Sequence, residues 1–136
     1  QSEPATVESG GAMEQAEHDL RIDYIELPTP DIEAAKAFYS GVFGWTTQDW
    51  GPGYASFEDG RLAGGFRKEA EVKPGGPLVV IYAVDLEAVD AAVRSHGGTV
   101  VKEIFSFPGG RRLHFTDPSG NELAVWSDTG VEALGE

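Results

Sequence analysis

Arg112, His114 and Glu122 carry the types and spacing of a small chemical site. Within 111–116, Leu113 and Phe115 alternate with Arg112, His114 and Thr116, so a strand would place the polar set on one face and the apolar pair on the other. If the following hairpin closes about Ser119, His114 faces Ala124, and Glu122, Ala124 and Trp126 share its face. Imidazole takes up and releases protons near neutrality, so a histidine beside a carboxylate is suited to acid–base work. Near the start of the chain, Tyr24 and Glu26 share one face of a second strand, with Ile25 and Leu27 on the other. Together Tyr24, Glu26, Arg112, His114, Glu122 and Trp126 would line one aromatic, partly polar cavity with Tyr82 at its rim, the character of a small-molecule site. His114 and Glu26 are the candidates for catalysis. Plainer readings stand beside these. His114 fits a hydrogen-bonded strand histidine, Glu26 a partner for a nearby arginine, and Glu122 a partner for Arg112 across the hairpin. His96 reads as a structural helix-end residue and Trp45 as a packing residue, whereas Trp50 suits either packing or closing the cavity.

The elements that would position these residues come from a repeat. Asp31-Ile32-Glu33-Ala34-Ala35 returns as Asp85-Leu86-Glu87-Ala88-Val89. An extended apolar stretch precedes each copy, at 22–27 and 78–84, and a helical spacing of apolar residues follows each Asp. Asp31 and Asp85 suit helix N-caps, and Gly41 and Gly97 are expected to supply the left-handed stops. Three short strands are predicted after each helix: 45–50, 54–58 and 61–66, then 99–105, 111–116 and 122–126. Asp59-Gly60 and Pro108-Gly109-Gly110 supply hairpin punctuation. The chain therefore reads as α+β: two tandem βαβββ modules, about 20–67 and 78–127, joined by a linker at 68–77. A flexible leader or cloning remnant is expected over 1–19, and an acidic tail over 128–136.

Composition removes several function classes. The 136 residues include no cysteine, which excludes disulfides, thiolate metal sites and thiol nucleophiles. Net charge is −13, and residues 1–19 hold five acids without a Lys or Arg. An acidic body with no basic stripe disfavours nucleic acid and anionic membranes as partners. No apolar run approaches the ~20 residues of a membrane span, and no secretory signal pattern is present, so a soluble, cytoplasmic protein is expected. Phosphate-binding glycine motifs and a nucleophile elbow are also missing.

The duplicated unit resembles the vicinal oxygen chelate superfamily, which includes glyoxalase I, extradiol dioxygenases, fosfomycin-modifying enzymes and bleomycin-binding proteins. The resemblance is carried by Pro30-Asp31-Ile32-Glu33-Ala34-Ala35-Lys36-Ala37-Phe38-Tyr39, by Val42-Phe43-Gly44-Trp45, and by Phe115-Thr116-Asp117-Pro118-Ser119-Gly120-Asn121-Glu122-Leu123. It implies a cupped mixed sheet with helices on its convex side, a small-molecule ligand and a homodimer. It also implies metal-ligand positions at Tyr24, at Leu78 or Val79, at Gly64 or Gly65, and at Ala124. Those residues cannot assemble the imidazole and carboxylate donors that Zn²⁺, Fe²⁺ or Mn²⁺ require. The reading therefore leans toward a cofactor-free binding protein for an aromatic or cationic molecule, rather than an enzyme. Two alternatives remain. One is a lyase, isomerase or dioxygenase using a divalent metal at a relocated set (Glu26, His114 and Glu122) or acid–base work by His114. The other is a partner-binding module without a ligand.

Overall fold

The computed structural model of the chain describes residues 15–17, 19–20 and 22–130. Of the leader expected over 1–19, only 15–17 and 19 are among the described residues; His18 and the acidic tail beyond 130 lie outside them. The first module runs β1 (Tyr24–Thr29), α1 (Ile32–Phe43), β2 (Thr46–Asp49), β3 (Tyr54–Glu58) and β4 (Ala63–Lys68). The second repeats it as β5 (Val79–Tyr82), α2 (Leu86–Ser95), β6 (Thr99–Phe107), β7 (Gly110–Thr116) and β8 (Glu122–Ser127). Each module forms its own four-stranded mixed sheet, ordered β1-β4-β3-β2 and β5-β8-β7-β6. In both, the first strand is parallel to the last and the remaining pairs are antiparallel. The predicted α+β duplication is the observed architecture, as two sheets.

Local chemistry explains the helices. Asp31 and Asp85 accept hydrogen bonds from the Ala34 and Ala88 amides at 3.1 and 3.0 Å, satisfying first-turn donors. One expectation is corrected: α1 runs through Gly41 and stops at Gly44, whose φ of 75° is left-handed. Gly41 serves helix packing instead, because a side chain there would collide with the imidazole of His96 at the end of α2. Gly97 does adopt the expected left-handed conformation after α2, at φ 93°.

The core follows strand parity. Leu27, Ala55, Phe57 and Phe66 from the first sheet, and Leu113, Phe115, Leu123 and Val125 from the second, are buried in one apolar cluster with Phe38, Tyr39, Leu86 and Val93 of the helices. Trp45 stacks on Tyr39 and Phe57 with ring centroids 4.7 and 4.6 Å apart, the packing role expected of it. The modules meet where Phe38 reaches Phe115 and where the β7–β8 turn touches the end of β1: Thr29 Oγ1 lies 2.6 Å from Ser119 Oγ, and Asn121 donates to the Pro28 carbonyl. Each sheet thus spends one face on the core and leaves the other open. None of the helices among the described residues is long and apolar enough to cross a membrane.

Candidate functional site

The open faces carry the predicted site residues, divided between two clusters. On the second sheet, β7 pairs with β8 so that His114 faces Ala124, the register expected for closure about Ser119. Leu113 and Phe115 point into the core on either side of His114, which turns its ring to the opposite face, where it is 6% exposed. Glu122 does not meet Arg112. Instead, His114 stands between them: its Nδ1 lies 3.0 Å from Glu122 Oε2, and Arg112 Nε and Nη2 lie 3.2 and 3.0 Å from its Nε2. Arginine carries no acceptor, so Nε2 must accept and Nδ1 must carry the proton that Glu122 accepts. This chain of contacts fixes the imidazole in one tautomer.

Aromatic residues flank this polar spine. Arg112 pairs with Phe105 of β6 on one side and with Trp126 of β8 on the other, and Trp126 pairs with Tyr82 of β5. Phe105, Arg112, Trp126 and Tyr82 therefore form one cross-strand row. The Arg112 guanidinium carbon sits 5.8 Å from the Phe105 ring centroid, and the Tyr82 and Trp126 rings meet edge-on at 5.2 Å. Tyr82 is 48% exposed and Phe105 38%. The Tyr82 hydroxyl donates to Asp128 at 2.7 Å, and this bond raises its pKa above the ordinary tyrosine value, with burial adding to the effect.

Tyr24 and Glu26 belong to the first sheet. The Tyr54 hydroxyl donates to Glu26 Oε2 at 2.9 Å and lies 2.7 Å from the Tyr24 hydroxyl, while Arg67 Nη1 reaches Glu26 Oε1 at 3.6 Å. Because Tyr54 spends its proton on Glu26, its oxygen receives the proton of Tyr24. Burial, then the bonds to Tyr24 and Glu26, push the Tyr54 hydroxyl pKa well above its ordinary range. Both tyrosine hydroxyls lie over Gly65, where a Cβ would collide with Tyr54, whereas a Cβ on Gly64 would strike the Phe57 ring and the Ile25 carbonyl on the core side. Gly65 is therefore the open-face member of the pair. Trp50 joins this face through an indole bond to Ser56 Oγ at 2.9 Å.

Among the described residues, no hydrogen bond, ion pair or ring contact joins the two clusters. The structure brings Arg112, His114, Glu122, Trp126 and Tyr82 together on one sheet, and Tyr24 with Glu26 on the other. It adds Tyr54, Arg67, Phe105 and Asp128, which sequence reasoning missed. Tyr54 was accessible to it, since Ala55 and Phe57 already fix the parity of β3. Phe105 was not, because the β6–β7 register shifts between Val100 and Lys102 and again between Lys102 and Phe105. No group of three or more His, Asp or Glu among the described residues is placed to hold a metal ion.

Comparison with known proteins agrees with this architecture. Residues 21–125 match the family model of the Glyoxalase/Bleomycin resistance protein/Dioxygenase superfamily. The chain is 34% identical over 124 residues to the anthracycline biosynthesis protein DauV of Streptomyces sp. (strain C5), covering 76% of this chain and 45% of DauV. It is 30% identical over 118 residues to the putative glyoxylase CFP32 of Mycobacterium tuberculosis, covering 76% of this chain and 44% of that protein. The chain thus spans less than half the length of these curated relatives. A glyoxalase/bleomycin resistance protein/dioxygenase family enzyme from Burkholderia phytofirmans shares the fold at a TM-score of 0.67 and 23% identity, covering 78% of this chain and 98% of its own. The fosfomycin resistance protein FosX of Mesorhizobium loti does so at 0.69 and 14%, covering 85% and 98%.

Proposed function

This chain belongs to the glyoxalase/bleomycin resistance protein/dioxygenase superfamily, and from that premise we propose that it binds a small aromatic molecule on the open face of its second sheet without a resident metal. The observation that carries the reading is the row Phe105, Arg112, Trp126 and Tyr82, in which one guanidinium stands between Phe105 and Trp126, with Tyr82 beyond, beside a buried histidine. Exposed rings around a few fixed polar groups are the composition of a small-molecule site. The carboxylates that would draw in a cationic molecule are already engaged: Glu26 with Tyr54 and Arg67, and Glu122 with His114. That favours an aromatic over a cationic ligand. Relatives named for anthracycline biosynthesis point toward the same class of fused-ring molecule.

The donor set argues against the family's metal. By the resemblance, the ligand positions of metal-binding relatives fall here at Tyr24, at Gly64 or Gly65, at Leu78 or Val79, and at Ala124, and only the Tyr24 side chain offers an oxygen, which is bonded to Tyr54. Glycine, leucine, valine and alanine side chains donate nothing, so these residues do not fit Zn²⁺, Fe²⁺ or Mn²⁺. Binding then rests on the chain's own groups. The rings stack on the ligand, Arg112 orients it, and Glu122 holds His114 so that Arg112 is held in turn.

A second copy of the chain is part of this reading. Among the described residues the two open-face clusters make no hydrogen bond, ion pair or ring contact with each other, and pairing the face of one copy with that of another would enclose the aromatic row and exclude water. Light scattering should give a particle of twice the 14.5 kDa chain mass, and a monomer at micromolar concentration overturns this part.

The test of binding is a titration of tryptophan fluorescence with naphthalene- and anthracene-based compounds, before and after exhaustive chelation. Saturable quenching that survives chelation and weakens in Trp126→Phe is expected. A tightly bound equivalent of metal, lost in His114→Ala together with binding, overturns it.

A further inference from the structure

We infer that the second-sheet site selects aromatic anions (carboxylates or acidic phenolates attached to a planar ring), with Arg112 as the anion-binding group. The inference rests on the aromatic-binding reading above and adds the charge of the ligand. The protein carries net charge −13, and three of its other arginines are paired with acids: Arg67 with Glu26 and Glu69, Arg94 with Asp90 and Glu103, Arg111 with Glu87. Arg112 is different. It is half-buried, and its side-chain hydrogen bonds among the described residues both go to the neutral acceptor nitrogen of His114. Lys102 lies directly across from His114, holds its ammonium 5.8 Å from the Phe105 ring centroid and has no carboxylate partner among the described residues. The carboxylates on this face are occupied: Glu122 accepts from His114 and Asp128 from Tyr82. Two cations without acids therefore stand at the edge of an aromatic row in an otherwise acidic molecule.

The guanidinium is also pre-oriented. His114 holds Nε and Nη2, which leaves Nη1 free of hydrogen bonds among the described residues and fixes the plane of the fork beside Phe105 and Trp126. A ligand ring lying along Phe105, Trp126 and Tyr82 brings an attached anion to that fork, where a charge-assisted bond forms without further ordering of the arginine. His114 and Glu122 are positioning residues here. They act on the ligand through Arg112.

The experiment compares naphthalene-2-carboxylate with naphthalene-2-methanol, the same ring without the charge, by calorimetry and fluorescence on the intact chain. The carboxylate should bind at least about tenfold more tightly, a preference that shrinks as sodium chloride is raised. Arg112→Gln should reduce the preference, read as the ratio of the two affinities, to about twofold or less. Arg112→Lys, which keeps the charge but not the fork, should retain part of it. Equal binding of acid and alcohol by the wild-type chain overturns the anion assignment and leaves the aromatic-binding reading in place. Binding of neither compound, nor of any larger fused-ring analogue, overturns both. The salt dependence is read on the wild-type protein, so the test stands even if a variant fails to fold.

Discussion

The Tyr39 hydroxyl donates to Asp117 Oδ2 at 2.9 Å, joining residues 78 positions apart and tying the first helix to the last hairpin turn. Asp117 is 5% exposed and accepts three further bonds, from the Ser119 and Asn121 amides at 2.9 Å and from the Asn121 side chain at 3.1 Å. Asn121 passes the connection on to the Pro28 carbonyl at 2.8 Å. A buried carboxylate with four donors is fully satisfied, and it fixes the turn from which β8 departs toward Glu122 and Trp126.

Removing that carboxylate strands its donors. Asp117→Ala should lower unfolding stability by about 3 kcal/mol in urea denaturation, because buried donors left without acceptors cost more than the bonds themselves contributed. A loss below about 1 kcal/mol would show that the turn holds its shape through backbone bonding alone.

The same bond sets an alkaline limit. Burial, and then the Asp117 charge and hydrogen bond, hold the Tyr39 pKa well above its ordinary value. A group with a raised folded-state pKa contributes its full stability below the unfolded value, about 10 for tyrosine, and loses it as pH rises toward the folded value. Stability should therefore hold to about pH 10 and fall beyond it. Tyr39→Phe should be less stable near neutrality by about 1–2 kcal/mol, yet show a shallower alkaline decline. Parallel alkaline slopes in the two proteins would contradict the assignment.

Adjacent glycines in β4 should respond differently to the same substitution. A Cβ on Gly65 meets the end of the Tyr54 side chain, whereas one on Gly64 meets the Ile25 backbone and the Phe57 ring. Gly65→Ala should cost about 1–3 kcal/mol, and most of that should disappear in a Tyr54→Ala background. Gly64→Ala should cost at least as much, with no relief from Tyr54→Ala. Thermal melts of the five variants provide the measurement, and equal rescue at both positions would refute the assigned facing.

Much of this arrangement is legible before any coordinates. The Asp31 and Asp85 caps, the parity of Leu113 and Phe115, and the pairing of His114 with Ala124 follow from residue type and period. Gly41 misled because a helix tolerates glycine where a neighbour packs closely, and His96 does so here, while the actual stop lies three residues on at Gly44. The separation of Tyr24 and Glu26 from the His114 cluster was hidden for a different reason. Parity assigns a residue to a face of its own strand, but the relation between two sheets depends on how the helices pack between them. The contact of Glu122 with His114 rather than Arg112 was hidden too, since it depends on a diagonal reach across the hairpin.

The last prediction concerns the proton on His114. Arginine can only donate, so the contacts of Arg112 with Nε2 require the proton to sit on Nδ1, facing Glu122 at 3.0 Å. Which ring nitrogen carries the proton is set by the hydrogen bonds the ring makes, so a proton on Nδ1 is a signature of the network and not of the residue. Nitrogen-15 spectra of the imidazole at a pH where it is neutral should show a protonated Nδ1 and an acceptor Nε2 for this residue. Glu122→Gln should leave that tautomer in place, because the amide oxygen still accepts from Nδ1. Arg112→Gln should release it, since an amide can either donate to Nε2 or accept from it. A protonated Nε2 in the wild-type chain would mean that Arg112 is not bonded there, and the orientation assigned to the guanidinium would fall with it.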